Sequence, residues 1–264
     1  MMVFTIGIPL DENASYLRGS AAAPAEIRKA FHSDSANYWT EDSLNLERHP
    51  KLRDDGDLVL PPMPAAFDAI TTAISNHAAQ GNKVLCLGGD HSITYPVIRG
   101  LAPHCRDLTI IHLDAHGDLY DSFNDNRFSH ACPFARIMES NLATRLIQVG
   151  IRTYNGHQRE QVRRFGVESI EMKDWNDDLR FVVEGPVYLS LDLDVLDPAF
   201  VPGVSHHEPG GFSTRQVLNI IQQLECNLVG ADIVELNPVR DIHGMTAMVA
   251  AKCYKELLAR LLIS

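Results

Sequence analysis

The chain has 264 residues, of which 45% are hydrophobic and 22% are charged. This length and composition suit one globular domain with a large buried core, so we predict a single domain over residues 1–264. The formal net charge of -11 argues against nucleic acid as a partner, and it favours a small cationic ligand attracted by the overall field.

The sequence predicts neither membrane insertion nor export. No stretch approaches the roughly 18 uninterrupted apolar residues that a membrane-spanning helix needs. The N-terminus, MMVFTIGIPL, lacks a basic region followed by a cleavable apolar segment. The five scattered cysteines have no paired metal or redox spacing, which favours a reducing compartment. We therefore expect a soluble cytoplasmic protein with no membrane partner.

Short apolar runs alternate with segments of helical periodicity, which is typical of a mostly parallel sheet. In chain order, the predicted strands are VFTIGI from residue 3, VLCLGG from 84, LTIIHLD from 108, RLIQVGI from 145, VYLSLDLD from 187 and LVGADIVE from 228. The predicted helices cover residues 24–31, 64–79, 131–139, 158–165, 214–224 and 245–262. The Pro/Gly-rich stretch 197–211 follows a strand directly and indicates a functional loop.

Polar motifs follow four of the predicted strands, where ligands of open parallel sheets bind. Alternate residues of an extended chain point the same way, so the acids and histidine of DAHGD (114–118) can converge, as can those of DLD (192–194). Four carboxylates crowded at a buried sheet end would repel one another, and two divalent cations would remove that repulsion. The candidate ligands are His91, Asp114, His116, Asp118, Asp192 and Asp194.

The donor types indicate which metal is bound. Oxygen-rich ligation with some imidazole and no thiolate favours manganese over zinc, although iron, cobalt or nickel would also fit. An isolated Asp after a strand is more often a helix cap than a ligand, and Asp90 in the turn GGDHS (88–92) is such a candidate cap.

Together these motifs resemble the signatures of the arginase/agmatinase/formimidoylglutamase (ureohydrolase) family. The resemblance spans nearly the whole chain, and it is strongest to plant-type arginases in residues 129–139, 196–211 and 241–252. It implies a three-layer α/β/α sandwich around a mostly parallel eight-stranded sheet, assembled as homo-trimers or hexamers. The remaining segments that carry it are GGDHS, DAHGD, SLDLDVLDP (190–198) and VELNP (234–238).

The same resemblance implies two Mn²⁺ ions per subunit and gives each ligand a role. Asp114 and Asp192 match the carboxylates that bridge the two ions. By the same match, His91 and Asp118 complete the site of one ion, and His116 and Asp194 complete the site of the other.

Three residues are candidates for catalysis or substrate binding. Asp118, itself a candidate metal ligand, could also hold the attacking hydroxide and take up its proton. His130 matches a histidine that relays protons near the entrance, and Glu235 matches the acid that pairs with the guanidinium, so both would contact substrate. From the residues alone, a surface histidine and a capping acid are alternative interpretations of His130 and Glu235.

Further histidines surround these motifs. His112 shares the face of Asp114 and is either a hydrogen-bonding support for the ligands or a satisfied core histidine. Agmatinases and animal-type arginases carry a Gly-Thr-Pro-like segment where this chain has Ser205-His206-His207, whereas plant-type arginases carry a similar serine-histidine pair. We expect His207 or Glu208 at the rim of the pocket.

The predicted reaction is the release of urea from a small cationic guanidino substrate. L-arginine, yielding L-ornithine, is the first candidate; agmatine, yielding putrescine, is the second; other guanidino acids and formimino compounds remain open. The loop 119–129 offers polar partners for the substrate tail, with solvated loop residues as the alternative interpretation. These partners are Asn124, Asn126 and Arg127 for a carboxylate, and Asp121 and Asp125 for an amine.

Two other classes of protein stay open. A non-catalytic relative that binds ligands would be expected to lose metal ligands, and all six candidates are intact. A deacetylase-type amidohydrolase shares a related architecture but uses a single zinc with two Asp and one His. The number of metal ions per chain discriminates between this class and the ureohydrolases.

Overall fold

The computed structural model describes residues 1–181 and 183–264. Within these residues, eight strands form one sheet in which every neighbouring pair is parallel. The strands are β1 (Val3–Ile8), β2 (Leu52–Asp57), β3 (Lys83–Gly88), β4 (Thr109–Leu113), β5 (Arg145–Ile151), β6 (Glu168–Glu171), β7 (Pro186–Asp192) and β8 (Asn227–Val234). Their spatial order is β2-β1-β3-β8-β7-β4-β5-β6.

Helices cover both faces of the sheet. In chain order, the α-helices of the described residues are α1 (Ala23–Phe31), α2 (Ala65–Ala78), α3 (Thr94–Leu101), α4 (Pro133–Glu139), α5 (Gly156–Phe165), α6 (Thr214–Gln222) and α7 (Met245–Ile263). Helices α1, α6 and α7 pack on one face, and α2, α3, α4 and α5 pack on the other. The predicted three-layer α/β/α sandwich is therefore confirmed.

The central strands are buried on both faces. Every residue of β3 and β4 is buried, as is all of β7 except its first residue, which is half-buried. Strands covered by helices on both sides need apolar residues at every position, which is why they appear in the sequence as continuous Val/Ile/Leu runs. The six predicted strands and six predicted helices are all present, with ends shifted by at most two residues.

Three elements were not predicted. The edge strands β2 and β6 have the sequences LRDDGD and ESIE, which lack an apolar run because solvent covers much of them. Strand β2 is instead held by Arg28, whose guanidinium hydrogen bonds to Asp54 at 2.8 and 2.9 Å and also pairs with Asp57. Helix α3 buries six of its eight residues, so it shows little apolar-polar alternation.

The strand order determines where the polar motifs meet. Strands β3, β8, β7 and β4 lie side by side at the centre of the sheet. Because all strands are parallel, their carboxyl ends form one continuous edge. Gly89 follows β3 at this edge and passes so close to the chain at Leu10 that a Cβ atom would lie 1.9 Å from the Leu10 carbonyl oxygen. The four motif-bearing strand ends therefore converge in one region.

The single domain over residues 1–264 stays a prediction, consistent with one sheet that draws strands from residue 3 to residue 234. In the described residues, no helix has the length and apolar character needed to cross a membrane. The five cysteines, all in the described part of the chain, are free thiols.

Candidate metal centre and substrate cavity

The first group of predicted ligands surrounds the imidazole of His91. This residue begins a short 3-10 turn, separated from the end of β3 by Gly89 and Asp90. Its Nδ1 atom lies 3.2 Å from Asp114 Oδ2, 3.1 Å from Asp118 Oδ2 and 3.1 Å from Asp192 Oδ2. Nδ1 is buried and has no hydrogen-bond partner of proper geometry. One nitrogen and three oxygens that face one another without hydrogen bonds fit the donor set of a divalent cation.

The second group surrounds His116, in the loop after β4. Its Nδ1 atom lies 3.0 Å from Asp194 Oδ2 and 3.4 Å from Asp114 Oδ1. Asp114 therefore contributes one carboxylate oxygen to each group, as the predicted bridging role requires. Asp192 contributes Oδ2 to the first group, whereas its Oδ1 accepts the backbone N–H of Asp194 at 2.9 Å. The structure brings the six candidates together, and their binding of metal stays a prediction.

The electrostatics of the cluster explain why it needs counter-charge. Burial, together with the carboxylates of Asp194 and Asp114, raises the pKa of Asp192 well above its ordinary value. Burial also raises the pKa of Asp194, to about 6. Burial opposes the charged form of His91, yet the surrounding carboxylates raise its pKa well above the usual range. These carboxylates thus require either protons or cations, and two divalent ions would supply the larger neutralising charge.

A buried relay orients the ring of His91. Ser190 Oγ lies 2.9 Å from His91 Nε2 and donates to Asp232 Oδ1 at 2.7 Å. Asp232 Oδ2 accepts hydrogen bonds from Tyr188 and Thr94, both at 2.8 Å. The relay turns Nδ1 toward the carboxylates and fixes the ring, as supporting residues of metal sites do. Sequence reasoning missed it, although Ser190 and Asp232 are polar residues within otherwise apolar strands.

His112 supports Asp114 in a similar way. Its Nε2 atom lies 2.7 Å from Asp114 Oδ2, and its Nδ1 atom lies 2.9 Å from Gln148 Nε2. The amide of Gln148 also donates to the carbonyl of Gly117 at 2.6 Å. Because Gln148 donates to Nδ1, the proton of the neutral ring is on Nε2 and points to Asp114. Of the two interpretations of His112, the geometry favours hydrogen-bonding support.

Asp90 acts as a cap. Its carboxylate accepts the backbone N–H of Ser92 at 3.0 Å and the backbone N–H of Asn13 at 3.0 Å. These bonds begin the turn that carries His91 and attach the N-terminal segment to it.

His130 and Glu235 form a pair beside the first group. His130 Nδ1 lies 2.8 Å from Glu235 Oε1, and the same oxygen accepts the backbone N–H of His91 at 2.9 Å. On its other side, His130 Nε2 accepts the backbone N–H of Ser15 at 3.1 Å and contacts the Ser15 hydroxyl at 2.7 Å. Glu235 directly follows β8, and its φ of 67° turns the chain there. Both predicted substrate-binding residues therefore lie close to the candidate metal centre.

A cavity opens above the two groups and leaves about 190 Å³ of space for water-sized molecules. The His206 ring lies in its wall, with its centroid 5.4 Å from that of His130 and 5.6 Å from that of His116. Of the two rim candidates, Glu208 lines the cavity, whereas His207 is exposed and lies 2.8 Å from the Pro202 carbonyl oxygen. Other lining residues are Ser15, Tyr120, Phe123, Thr153 and Gln158.

The predicted tail-binding residues of loop 119–129 lie outside the cavity lining. Arg127 is instead paired with Asp121 and Glu139, at 3.3 and 3.1 Å. Asn126 donates to the side chain of Asn13 at 3.1 Å. Arg127 and Asn126 thus pair with other protein groups, and contact of the loop's polar side chains with the substrate tail stays a prediction. The loop contributes Tyr120 and Phe123 to the cavity instead.

Known proteins of the Arginase family resemble this chain in both sequence and fold. The Arginase family profile matches residues 2–259. The chain is 46% identical to "Arginase 1, mitochondrial" of Arabidopsis thaliana, over 97% of this chain and 80% of that protein. The solved arginase from Medicago truncatula superposes with a TM-score of 0.93 at 41% identity, covering 98% of this chain and 87% of that one. The "Agmatinase" of Bacillus anthracis is 34% identical, over 97% of this chain and 90% of that protein.

Fold and relatives together define an enzyme of the arginase-type ureohydrolase class. The chain belongs to the Arginase family. The family predicted from the four motifs is confirmed, and the chain is an enzyme rather than a non-catalytic binding relative.

The relatives overturn the predicted cytoplasmic location. Two proteins of Arabidopsis thaliana at 46% and 45% identity are named "Arginase 1, mitochondrial" and "Arginase 2, chloroplastic/mitochondrial". The prediction of a cytoplasmic protein was therefore wrong. It depended on the lack of a long apolar stretch, on cysteine usage and on an N-terminus without a secretory-type signal, and none of these reports organellar targeting, which is read separately from the fold.

The pairing of His130 with Glu235 predicts that the histidine titrates at a higher pH than an ordinary imidazole. Burial opposes the charged form of His130, but the Glu235 carboxylate raises its pKa from 6.5 to about 9. The raised value stabilises the folded state below pH 6.5, and this contribution is lost as the pH rises through about 9. NMR titration of the chelator-treated protein should show this midpoint, and Glu235→Gln should lower it. Glu160→Gln, at an exposed position on α5, should not change it. An equal midpoint with and without the Glu235 carboxylate would contradict the assignment.

Proposed function

We propose that this enzyme hydrolyses L-arginine to L-ornithine and urea at a centre of two manganese ions. The observation that carries the proposal is the shared carboxylate of Asp114, whose two oxygens face two separate nitrogen-oxygen groups. The similarity to plant arginases at 42–46% identity, against 34% for an agmatinase, supports arginine as the substrate. A single-zinc amidohydrolase would need only one such group.

The six candidate ligands would hold the ions as the family pattern assigns them. When bound, two such ions lower the pKa of water and so supply a nucleophile at neutral pH. Asp118 adjoins His91 at the first group and also lines the cavity, so its carboxylate can accept the proton that the attacking water loses. The second oxygen-rich group, at His116 and Asp194, lies at the same cavity wall.

The guanidinium head of the substrate would bind at Glu235. A carboxylate and a guanidinium form paired, charge-assisted hydrogen bonds that fix the plane of the head. His130 would deliver a proton to the leaving amine, because its ring lies at the cavity wall beside Glu235, whose carboxylate favours the protonated ring. Glu235 thus has two tasks: it orients the head, and it keeps a proton on His130.

The substrate tail would meet Glu208. This carboxylate lines the cavity, and its side chain has no hydrogen-bond or ion-pair partner in the described chain. A substrate amine would supply the missing counter-charge, which suits both arginine and agmatine. The hydroxyls of Ser15 and Tyr120 could serve an α-carboxylate. Agmatine stays a second candidate because no Lys or Arg of the described residues lines the cavity to pair with that carboxylate.

We further propose that the enzyme is a homo-oligomer, a trimer or hexamer as the family resemblance implies. Exposed apolar side chains on one segment support this proposal. Val239 is 82% exposed, Ile242 is 51% exposed and Met245 is 50% exposed. Large apolar side chains gathered on a surface are typical of contacts between protein chains.

A urea-release assay tests the proposed substrate. The purified protein, loaded with manganese, is compared on arginine, agmatine and 4-guanidinobutyrate by urea release, and on formimidoylglutamate by formamide release. We expect the highest kcat/KM with arginine. A higher value with agmatine would favour the second candidate, and the absence of urea release from all guanidino substrates would refute the proposed reaction.

Replacing the shared carboxylate tests the metal centre. Asp114→Ala removes one oxygen from each group, so we expect loss of both bound manganese and turnover. Asp34→Ala, at an exposed position, is the control and should keep both. Metal analysis after desalting and the urea assay measure the two quantities. Full metal content with normal activity in Asp114→Ala would contradict the proposal.

Glu208→Gln tests recognition of the tail. A hydrogen bond to a charged group contributes about 1.5–3 kcal/mol, so kcat/KM for arginine should fall roughly tenfold or more, mainly through KM. The value for 4-guanidinobutyrate, which has no amine, should change little, and Glu160→Gln should affect neither substrate. An equal loss on both substrates would show that Glu208 does not recognise the amine.

A further inference from the structure

The side chain of Arg152, directly after β5, joins three segments at the edge of the cavity. Its Nη2 donates to the carbonyl of Asp194 at 2.7 Å, and its Nε and Nη2 donate to the carbonyl of Glu208 at 3.0 and 2.6 Å. Longer bonds, of 3.2 to 3.4 Å, reach the carbonyls of Gly150, Val195 and Leu196. The hydrogen-bond partners of this guanidinium in the described chain are all backbone carbonyl oxygens.

The backbone of Arg152 holds a fourth segment. Its N–H donates to the carbonyl of Ala115 at 2.9 Å, and the Thr153 hydroxyl donates to the same carbonyl at 3.0 Å. Ala115 lies between Asp114 and His116 in the DAHGD motif. Its own N–H donates to Asp194 Oδ1 at 3.2 Å. One residue therefore connects the two segments that carry the ligands of the second group.

The loop that carries Glu208 packs tightly against this guanidinium at Gly211. A Cβ atom at Gly211 would lie 2.6 Å from the Val195 carbonyl oxygen and 2.7 Å from Arg152 Nη2. Both distances are shorter than van der Waals contact, so only glycine fits there without displacing the guanidinium or the chain after β7.

We propose that Arg152 is a positioning residue for the second metal ion and for the cavity rim. Its guanidinium fixes the backbone of Asp194, so that the Asp194 carboxylate faces His116, and the same group fixes Glu208 in the cavity wall. The inference rests on the proposed two-metal function. Arginine suits this task because it offers five N–H donors in a planar fork, whereas lysine offers three donors at one point.

Arg152→Lys tests the inference because it keeps the charge and the backbone bond to Ala115 but removes the fork. Manganese binding by the full-length protein is followed by EPR titration and by metal analysis after desalting. We expect affinity for one of the two ions to fall roughly 10- to 100-fold, with the other ion bound as in wild type. Turnover should recover in excess manganese. Arg159→Lys, at an exposed arginine that pairs with Glu171, is the control and should bind both ions normally.

Gly211→Ala perturbs the same contact while keeping the arginine, and it decides the question if Arg152→Lys does not fold. We expect this variant, too, to bind one of the two manganese ions with lower affinity and the other as in wild type. If wild type binds two ions and the folded variants bind both with wild-type affinity, or lose both equally, the role of Arg152 is refuted while the proposed function stands. If wild type itself binds only one ion, the two-metal function fails and this inference fails with it.

Discussion

The mutual repulsion of four buried aspartates is the constraint on which the structure of the site depends. Parallel strands β7 and β4 are neighbours in the sheet, and their carboxyl ends bring Asp114, Asp118, Asp192 and Asp194 into one region. In a buried environment such charges are tolerated only with compensation, and burial together with the neighbouring carboxylates of Asp194 and Asp114 raises the pKa of Asp192 well above its ordinary value. The histidines between them provide nitrogen donors, so two cations would satisfy the whole cluster.

Much of the surrounding polar structure keeps this cluster in place. Asp232 and Ser190 fix the ring of His91 from inside the sheet, and Gln148 fixes the proton of His112 so that it points to Asp114. Each of these groups is buried and hydrogen-bonded, which makes its geometry costly to change. The cavity side is less constrained: among the residues that the structure describes, the Glu208 carboxylate has no hydrogen-bond or ion-pair partner.

The sequence predicts the three layers of the fold and the cluster of aspartates and histidines well, because both depend on patterns within short segments of the chain. Continuous apolar runs identify the buried strands, and strand-end motifs such as DAHGD identify the candidate ligands that the structure brings together. The edge strand LRDDGD could not be found this way, because its stability comes from pairing with β1 and from Arg28 rather than from its own burial. Likewise, Arg127 and Asn126 have the right chemistry for a substrate tail, but only the folded loop shows that they bind other protein groups.

The most direct test of the account is a crystal structure of the protein grown with manganese, with an anomalous difference map recorded near the manganese absorption edge. The account predicts two peaks: one coordinated by His91 and Asp118, the other by His116 and Asp194, with Asp114 contacting both. A single peak, or peaks away from these side chains, would contradict it.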